Sequence, residues 1–247
     1  MTSPAASASL DLPHVWRGRE LAQAQERTVP TGHPPLDAEL PGGGWPVGCL
    51  IEVLQPQPHQ FAWQLMAPAL RERSRSESGP IVLVNPPYLP FGPGLRGLAL
   101  RPEQLLCVQS DKVAARLWAT EQALRCADVA AVLAWLPQAR NEDLRRLHLC
   151  AQQHDRFLVA FRGVDARTHS SPARLRLLVE GAQQMEVRIL KRRGPPLLQP
   201  LVLRGQPPRL AALLAARKRR SAPSSPQPLF LPTGASHVLD RTASFSG

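Results

Sequence analysis

A chain of 247 residues, 43% of them hydrophobic, can bury one ordinary core and still carry tails, which excludes a wholly disordered protein. Lys and Arg outnumber Asp and Glu by 30 to 19, a formal net charge of +11, so acidic partners are expected: nucleic acid, an anionic surface or an acidic protein. The longest apolar run, Val129–Pro137, is too short to span a bilayer, and Met1–Leu12 has neither the basic start nor the apolar stretch of a secretory signal. Cys49, Cys107, Cys126 and Cys150 form no C-x-x-C pair and each sits in an apolar or helical stretch. Buried reduced thiols in a cytoplasmic protein are therefore expected, with no disulfide framework or zinc site. The short apolar runs predict no membrane contact.

In chain order, residues 1–13 are small and polar, and His14–Arg27 has the spacing of a short helix around Trp16. Leu36 and Leu40 repeat at helical spacing, and Pro41-Gly42-Gly43-Gly44 is a loop by composition. Cys49–Leu54 reads as a strand and Phe61–Arg73 as a helix containing Pro68. Ile81–Val84 is a continuous apolar run, the pattern of a strand covered on both faces. Strands follow at Leu105–Val108, Val129–Leu136 and Phe157–Phe161, with helices at Val113–Cys126 and Asn141–His154, the latter capped by Asn141. Short apolar strands alternating with helices predict an α/β fold with a mainly parallel sheet. Arg174–Val179 and Met185–Leu190 then alternate apolar and charged residues across Glu180-Gly181, which predicts an antiparallel hairpin extension, with Leu197–Leu203 as an edge strand. The predicted organisation is a tail and short helix over 1–27, a core over 28–204 and a flexible, basic, Pro/Ser-rich tail over 205–247.

Thr31–Pro56 reads T-G-x-x-x-L-D-x-x-L-P-G-G-G-W-P-x-G-x-x-x-E-V-x-x-P, which resembles the entry to the nucleotide-binding core of the RecA recombinase family. Gly43, Gly44, Pro46, Gly48 and Glu52 stand in the matching places, and the similarity continues through Gln104–Cys107, Glu121–Leu124, the strand ending at Trp135 and Met185–Arg193. More narrowly, V-W-R-G-R-E-L, P-G-G-G-W-P, V-L-A-W-L-P and L-K-R-R-G-P-P resemble the ImuA family of RecA-like accessory proteins, sometimes described as SulA-like. The resemblance implies a RecA-like P-loop NTPase-type fold and an SOS-induced role in translesion DNA synthesis. Its implied partners are an ImuB-type homologue of the Y-family polymerases and, indirectly, an error-prone DNA polymerase III α subunit, with RecA as a further candidate. A DNA-binding recombination mediator and a cell-division inhibitor are the alternatives.

A phosphate loop needs glycines that turn backbone N–H groups toward the ligand, a Lys for the β/γ charge and a Ser or Thr for magnesium. The segment aligned with it is Gln55–Ala62: Gln55 and Gln60 stand at the glycine positions, Phe61 at the Lys position and Ala62 at the hydroxyl position. Ala134 occupies the acidic position of the apolar strand, and Asn85-Pro86-Pro87 follows Ile81–Val84 where the family carries its water-activating Glu, with Pro87 at the degenerate acidic position. Phosphoryl transfer depends on positioning and charge stabilisation, so a pseudo-ATPase with no catalytic residue and no cofactor is expected.

Lys191 and Arg193 align with the paired basic residues that the family offers to a neighbouring subunit, and together with Arg192 they are candidates for partner contact. Leu210, Leu213 and Leu214 share a helical face ahead of Arg217, Lys218, Arg219 and Arg220, a candidate docking helix. The DNA-binding loops look short: Pro137–Arg140, and Arg162–Ser171 with Arg162, Arg167 and His169, which leaves non-specific DNA contact as a candidate. Trp45, Trp63, Trp118 and Trp135 are expected to pack in the core and its loops.

Overall fold

The computed structural model describes residues 27–182 and 184–203. The readings placed on Trp16, Leu210, Leu213, Leu214, Arg217, Lys218, Arg219 and Arg220 lie outside the described residues. The described chain runs β1 (Thr28–Val29), α1 (Pro34–Glu39), β2 (Trp45–Pro46), β3 (Cys49–Gln55), α2 (Ala62–Ser76) and β4 (Ile81–Val84). It continues through α3 (Gly92–Gly97), β5 (Leu105–Val108), α4 (Val113–Arg125), β6 (Ala131–Trp135) and α5 (Asn141–Gln153). It closes with β7 (Phe157–Gly163), β8 (Leu175–Glu180), β9 (Met185–Lys191) and β10 (Leu201–Leu203).

Eight strands form one sheet in the order β10-β9-β8-β3-β7-β6-β4-β5. Pairing is parallel from β8 to β5 and antiparallel at β8–β9 and β9–β10. The architecture is α/β with a large, mostly parallel central sheet, the class that holds Rossmann and P-loop-like folds. The runs CLIEVLQ and IVLV are buried along their whole length because helices cover both faces of the sheet. Alternation sends Ile51, Val53, Leu83, Leu133 and Val159 to one face, where α2 packs Leu65, Met66 and Leu70. It sends Leu50, Val82, Val132 and Leu158 to the other, against Leu117 and Leu124 of α4 and Leu144 and Leu147 of α5.

The Pro-Gly-Gly-Gly run makes a 3₁₀ turn that brings β2 back against β1. A Cβ at Gly44 would lie 2.3 Å from the Val29 carbonyl oxygen, so this approach admits only glycine. Pro68 interrupts the hydrogen bonding of α2, and His33 Nε2 lies 3.3 Å from the Leu65 carbonyl in the same turn.

Several expectations need correction. Arg140, not Asn141, is the N-cap of α5; its N–H donates to Asp143 Oδ2 at 3.0 Å. Cys49 and Cys150 are buried, but Cys126 is exposed just past α4. Trp45 and Trp135 are buried, whereas Trp118 points outward from α4 with 64% of its surface exposed. The two-stranded sheet β1–β2 and the helix α3 were not anticipated, being too short to show a period. Arg162 belongs to β7 and is buried, so it contributes nothing to a basic loop. No helix among the described residues is long and apolar enough to cross a membrane.

Candidate functional site

Open parallel sheets bind ligands beyond the carboxyl ends of their strands, where successive connections leave toward opposite faces. The β3–α2 connection, Pro56–Phe61, occupies such a place, with β7 and β8 on either side of β3. All residues aligned with a phosphate loop are brought together here. Gln55 ends β3 fully buried, Gln60 and Phe61 close the connection, and Ala62 opens α2. Phe61 holds a left-handed backbone, φ 58°, and caps α2 without a side-chain hydrogen bond.

The connection is tied down by three side-chain hydrogen bonds. Gln55 Nε2 donates to the Gln60 carbonyl, and Gln60 Nε2 donates to the Gly181 carbonyl just beyond β8. Trp135 Nε1, at the end of β6, donates to the Pro58 carbonyl at 2.9 Å, while its ring stacks on Phe161 of β7 at 4.6 Å. Pro56 and Pro58 supply no N–H group, so the loop has few donors to offer an anion. Ala134 is fully buried in β6, and Pro87 is exposed in the turn after β4.

Beside this connection lies a groove of about 300 Å³ lined by His59, Trp63, Tyr88, Phe91, Leu98 and Trp135, among others. It is walled by α2, α3 and the proline-rich turn that follows β4. His59 meets Tyr88 edge to face at 5.4 Å.

The basic triplet is elsewhere. Lys191 pairs across from Arg176, at the opposite end of the β8–β9 hairpin from Gly181. Lys191 Nζ donates to the Ser171 carbonyl at 2.9 Å, and Arg192 Nη1 donates to Glu39 Oε2 at 2.8 Å. Arg193 follows β9 and lines a small cavity with Arg174 and Pro41. The structure therefore does not bring Lys191, Arg192 and Arg193 to the β3–α2 connection.

Sequence reasoning missed the most polar point of the core. Glu52, fully buried in the middle of β3, accepts from Arg162 Nη1 of β7 at 2.7 Å and from Arg176 Nε of β8 at 2.5 Å. The arginines continue outward: Arg162 Nη2 donates to the Ala139 carbonyl at 2.8 Å, and Arg176 to the Ala166 and His169 carbonyls at 2.9 and 3.1 Å. One carboxylate thus fixes the connections after β6 and after β7. Those two connections frame a second cavity, about 460 Å³, lined by Arg140, Asn141, Asp165, His169 and Ser170. The readable signal was Glu52 itself, a charge inside an otherwise apolar strand, which demands buried partners.

Two histidines are set by burial. His33 is held below the ordinary histidine range by its burial. His148 is also lowered, by burial first and then by the positive charges of Arg174 and Lys191, and its Nδ1 accepts the Leu50 N–H at 3.1 Å. His148, Cys150 and His154 share α5 and its end, yet no group of three or more His, Cys, Asp or Glu that could hold a metal ion occurs among the described residues.

No protein-family model and no curated protein matches the chain.

Proposed function

We propose that this chain is a non-catalytic, RecA-like accessory protein of SOS-induced translesion DNA synthesis, acting in the cytoplasm. In this role it binds an ImuB-type polymerase homologue, reaches the error-prone polymerase III α subunit through it, and engages RecA. The observation that carries the proposal is the state of the β3–α2 connection. Where a phosphate cradle would need open amides, a Lys and a hydroxyl, it has Gln55, Gln60, Phe61 and Ala62, two prolines, and side-chain hydrogen bonds that tie the loop down. A charge-assisted contact contributes about 1.5–3 kcal/mol, so losing the Lys, the metal ligand and the acidic groups together removes physiological nucleotide affinity.

Calorimetric titration of the purified chain with Mg-ATP tests the nucleotide side. No saturable heat is expected, and tight uptake would sink the pseudo-ATPase. Co-purification with the ImuB-type partner from DNA-damaged cells, with and without the residues after Gly205, tests the partner side. Lys191→Glu with Arg193→Glu should weaken RecA binding.

The charge of +11 and the cavity beside Arg140 and His169 favour a second reading, a DNA-binding mediator. Its signature is an affinity for single-stranded DNA that falls steeply with salt but survives at moderate ionic strength.

A further inference from the structure

We propose that the groove between α2, α3 and the proline-rich turn after β4 is a docking site for an uncharged, proline-rich peptide segment of a partner protein. Three large apolar side chains lie open within four residues of this turn: Tyr88, Leu89 and Phe91 are 68%, 71% and 73% exposed. They adjoin the half-buried Trp63 and the wall formed by Trp135, so the exposed surface is contiguous rather than scattered. Contiguous apolar patches of this kind mark interaction surfaces in folded proteins.

Four features fix the chemistry of the occupant. First, none of the residues lining the groove is Lys, Arg, Asp or Glu, in a protein whose net charge is +11. A charged side chain entering here would lose its hydration without gaining an opposite charge, so a neutral segment is selected. Second, β4 is already paired on both sides, with β5 and with β6, and the groove offers no open strand edge. Recognition by strand addition is thereby excluded. Third, about 300 Å³ is the low end of ligand-sized pockets, with room for a few side chains rather than the long row of anchors on an amphipathic helix. Fourth, the walls are rings: the His59–Tyr88 pair, Phe91, Trp63 and Trp135. Aromatic walls of this kind take polyproline II segments, whose extended form is preorganised and needs no backbone hydrogen bonds from the groove.

The groove is also held in shape before any partner arrives. Pro86, Pro87 and Pro90 fix the backbone of the turn, and Trp135 is anchored by its stack on Phe161 and its bond to Pro58. Little ordering is left to oppose binding. This inference stands apart from the translesion-synthesis reading, because it needs only the groove and not the identity of the β3–α2 connection.

The test uses full-length protein carrying Trp118→Phe, which removes the one exposed indole outside the groove among the described residues, and follows the remaining tryptophan emission. The probe is the synthetic peptide Pro-Pro-Leu-Phe-Pro-Pro-Leu-Pro, compared with a version in which both leucines are replaced by glutamate. A saturable change is expected with the neutral peptide, weakened about tenfold or more by Tyr88→Ser or Phe91→Ser and by the glutamates. Both substitutions are at exposed positions, and an unchanged thermal midpoint verifies the fold. Absence of saturation, indifference to Tyr88→Ser and Phe91→Ser, or tighter binding of the acidic peptide each overturns the proposal.

Discussion

Glu52 and Gln55 lie three residues apart on β3, and the strand treats them in opposite ways. At Glu52 a full charge is buried and answered by two arginines from the neighbouring strands. At Gln55, the carboxyl end of the strand, there is no charge, and neutral amides and an indole tie down the loop that follows. The polar groups of this strand therefore hold the protein together at its middle and shut it at its end. The features that stay open to solvent lie elsewhere: the aromatic groove beside the β3–α2 connection and the exposed Lys191 at the end of β9.

The most severe way to break that contrast is Glu52→Ala, which leaves Arg162 and Arg176 buried without an opposite charge. A loss of about 3–5 kcal/mol is expected by urea denaturation. Combining Glu52→Leu with Arg162→Met and Arg176→Met sharpens the point, because an apolar triad should recover most of that loss. A triple variant as weak as the single would show that the fold needs the charges themselves.

At the neutral end, Trp135→Phe retains a ring against Phe161 but deletes the bond to Pro58 and part of the buried indole. About 1–2.5 kcal/mol is expected, together with faster amide exchange in Gln57–Phe61. A loss as large as that at Glu52 would mean that the loop is part of the core.

Mild acid should act through His33 and His148. Both are lowered in the folded protein, so the unfolded chain takes up protons first as the pH falls through the ordinary histidine range. Their contribution is complete above about pH 6.5 and declines below it. The urea midpoint should fall between about pH 7 and 5.5, and the slope should flatten in His148→Asn. The smallest effect belongs to Lys191→Ala, which removes one exposed contact to a carbonyl and should leave stability within about 0.5 kcal/mol while still testing partner binding.

The parts of this fold that could be read from sequence share one property, locality. Ile81–Val84 and Leu105–Val108 have the bounds expected of them because apolar runs between turn residues need no further information. Arg162 was misplaced because its position in β7 depends on Glu52, 110 residues earlier, accepting its charge. Trp118 sits one residue from the buried Leu117, and only the packing of α4 decides which of them faces the sheet. The same division runs through the site. Its address, after an apolar strand and before a helix, was legible, as was the lack of a Lys. The long-range bonds that tie it down were not, since Gln60 reaches a carbonyl 121 residues away.

The place of β3 in the sheet also governs how the chain is made. Its two neighbours, β7 and β8, begin at Phe157 and Leu175, so a ribosome that has released β3 must add over a hundred further residues before either arrives. At about 5–20 residues per second, that is on the order of 5–20 s. Throughout it, a seven-residue, largely apolar strand with unpaired edges on both sides stands open in the nascent chain, the stretch where a chaperone would be expected to bind.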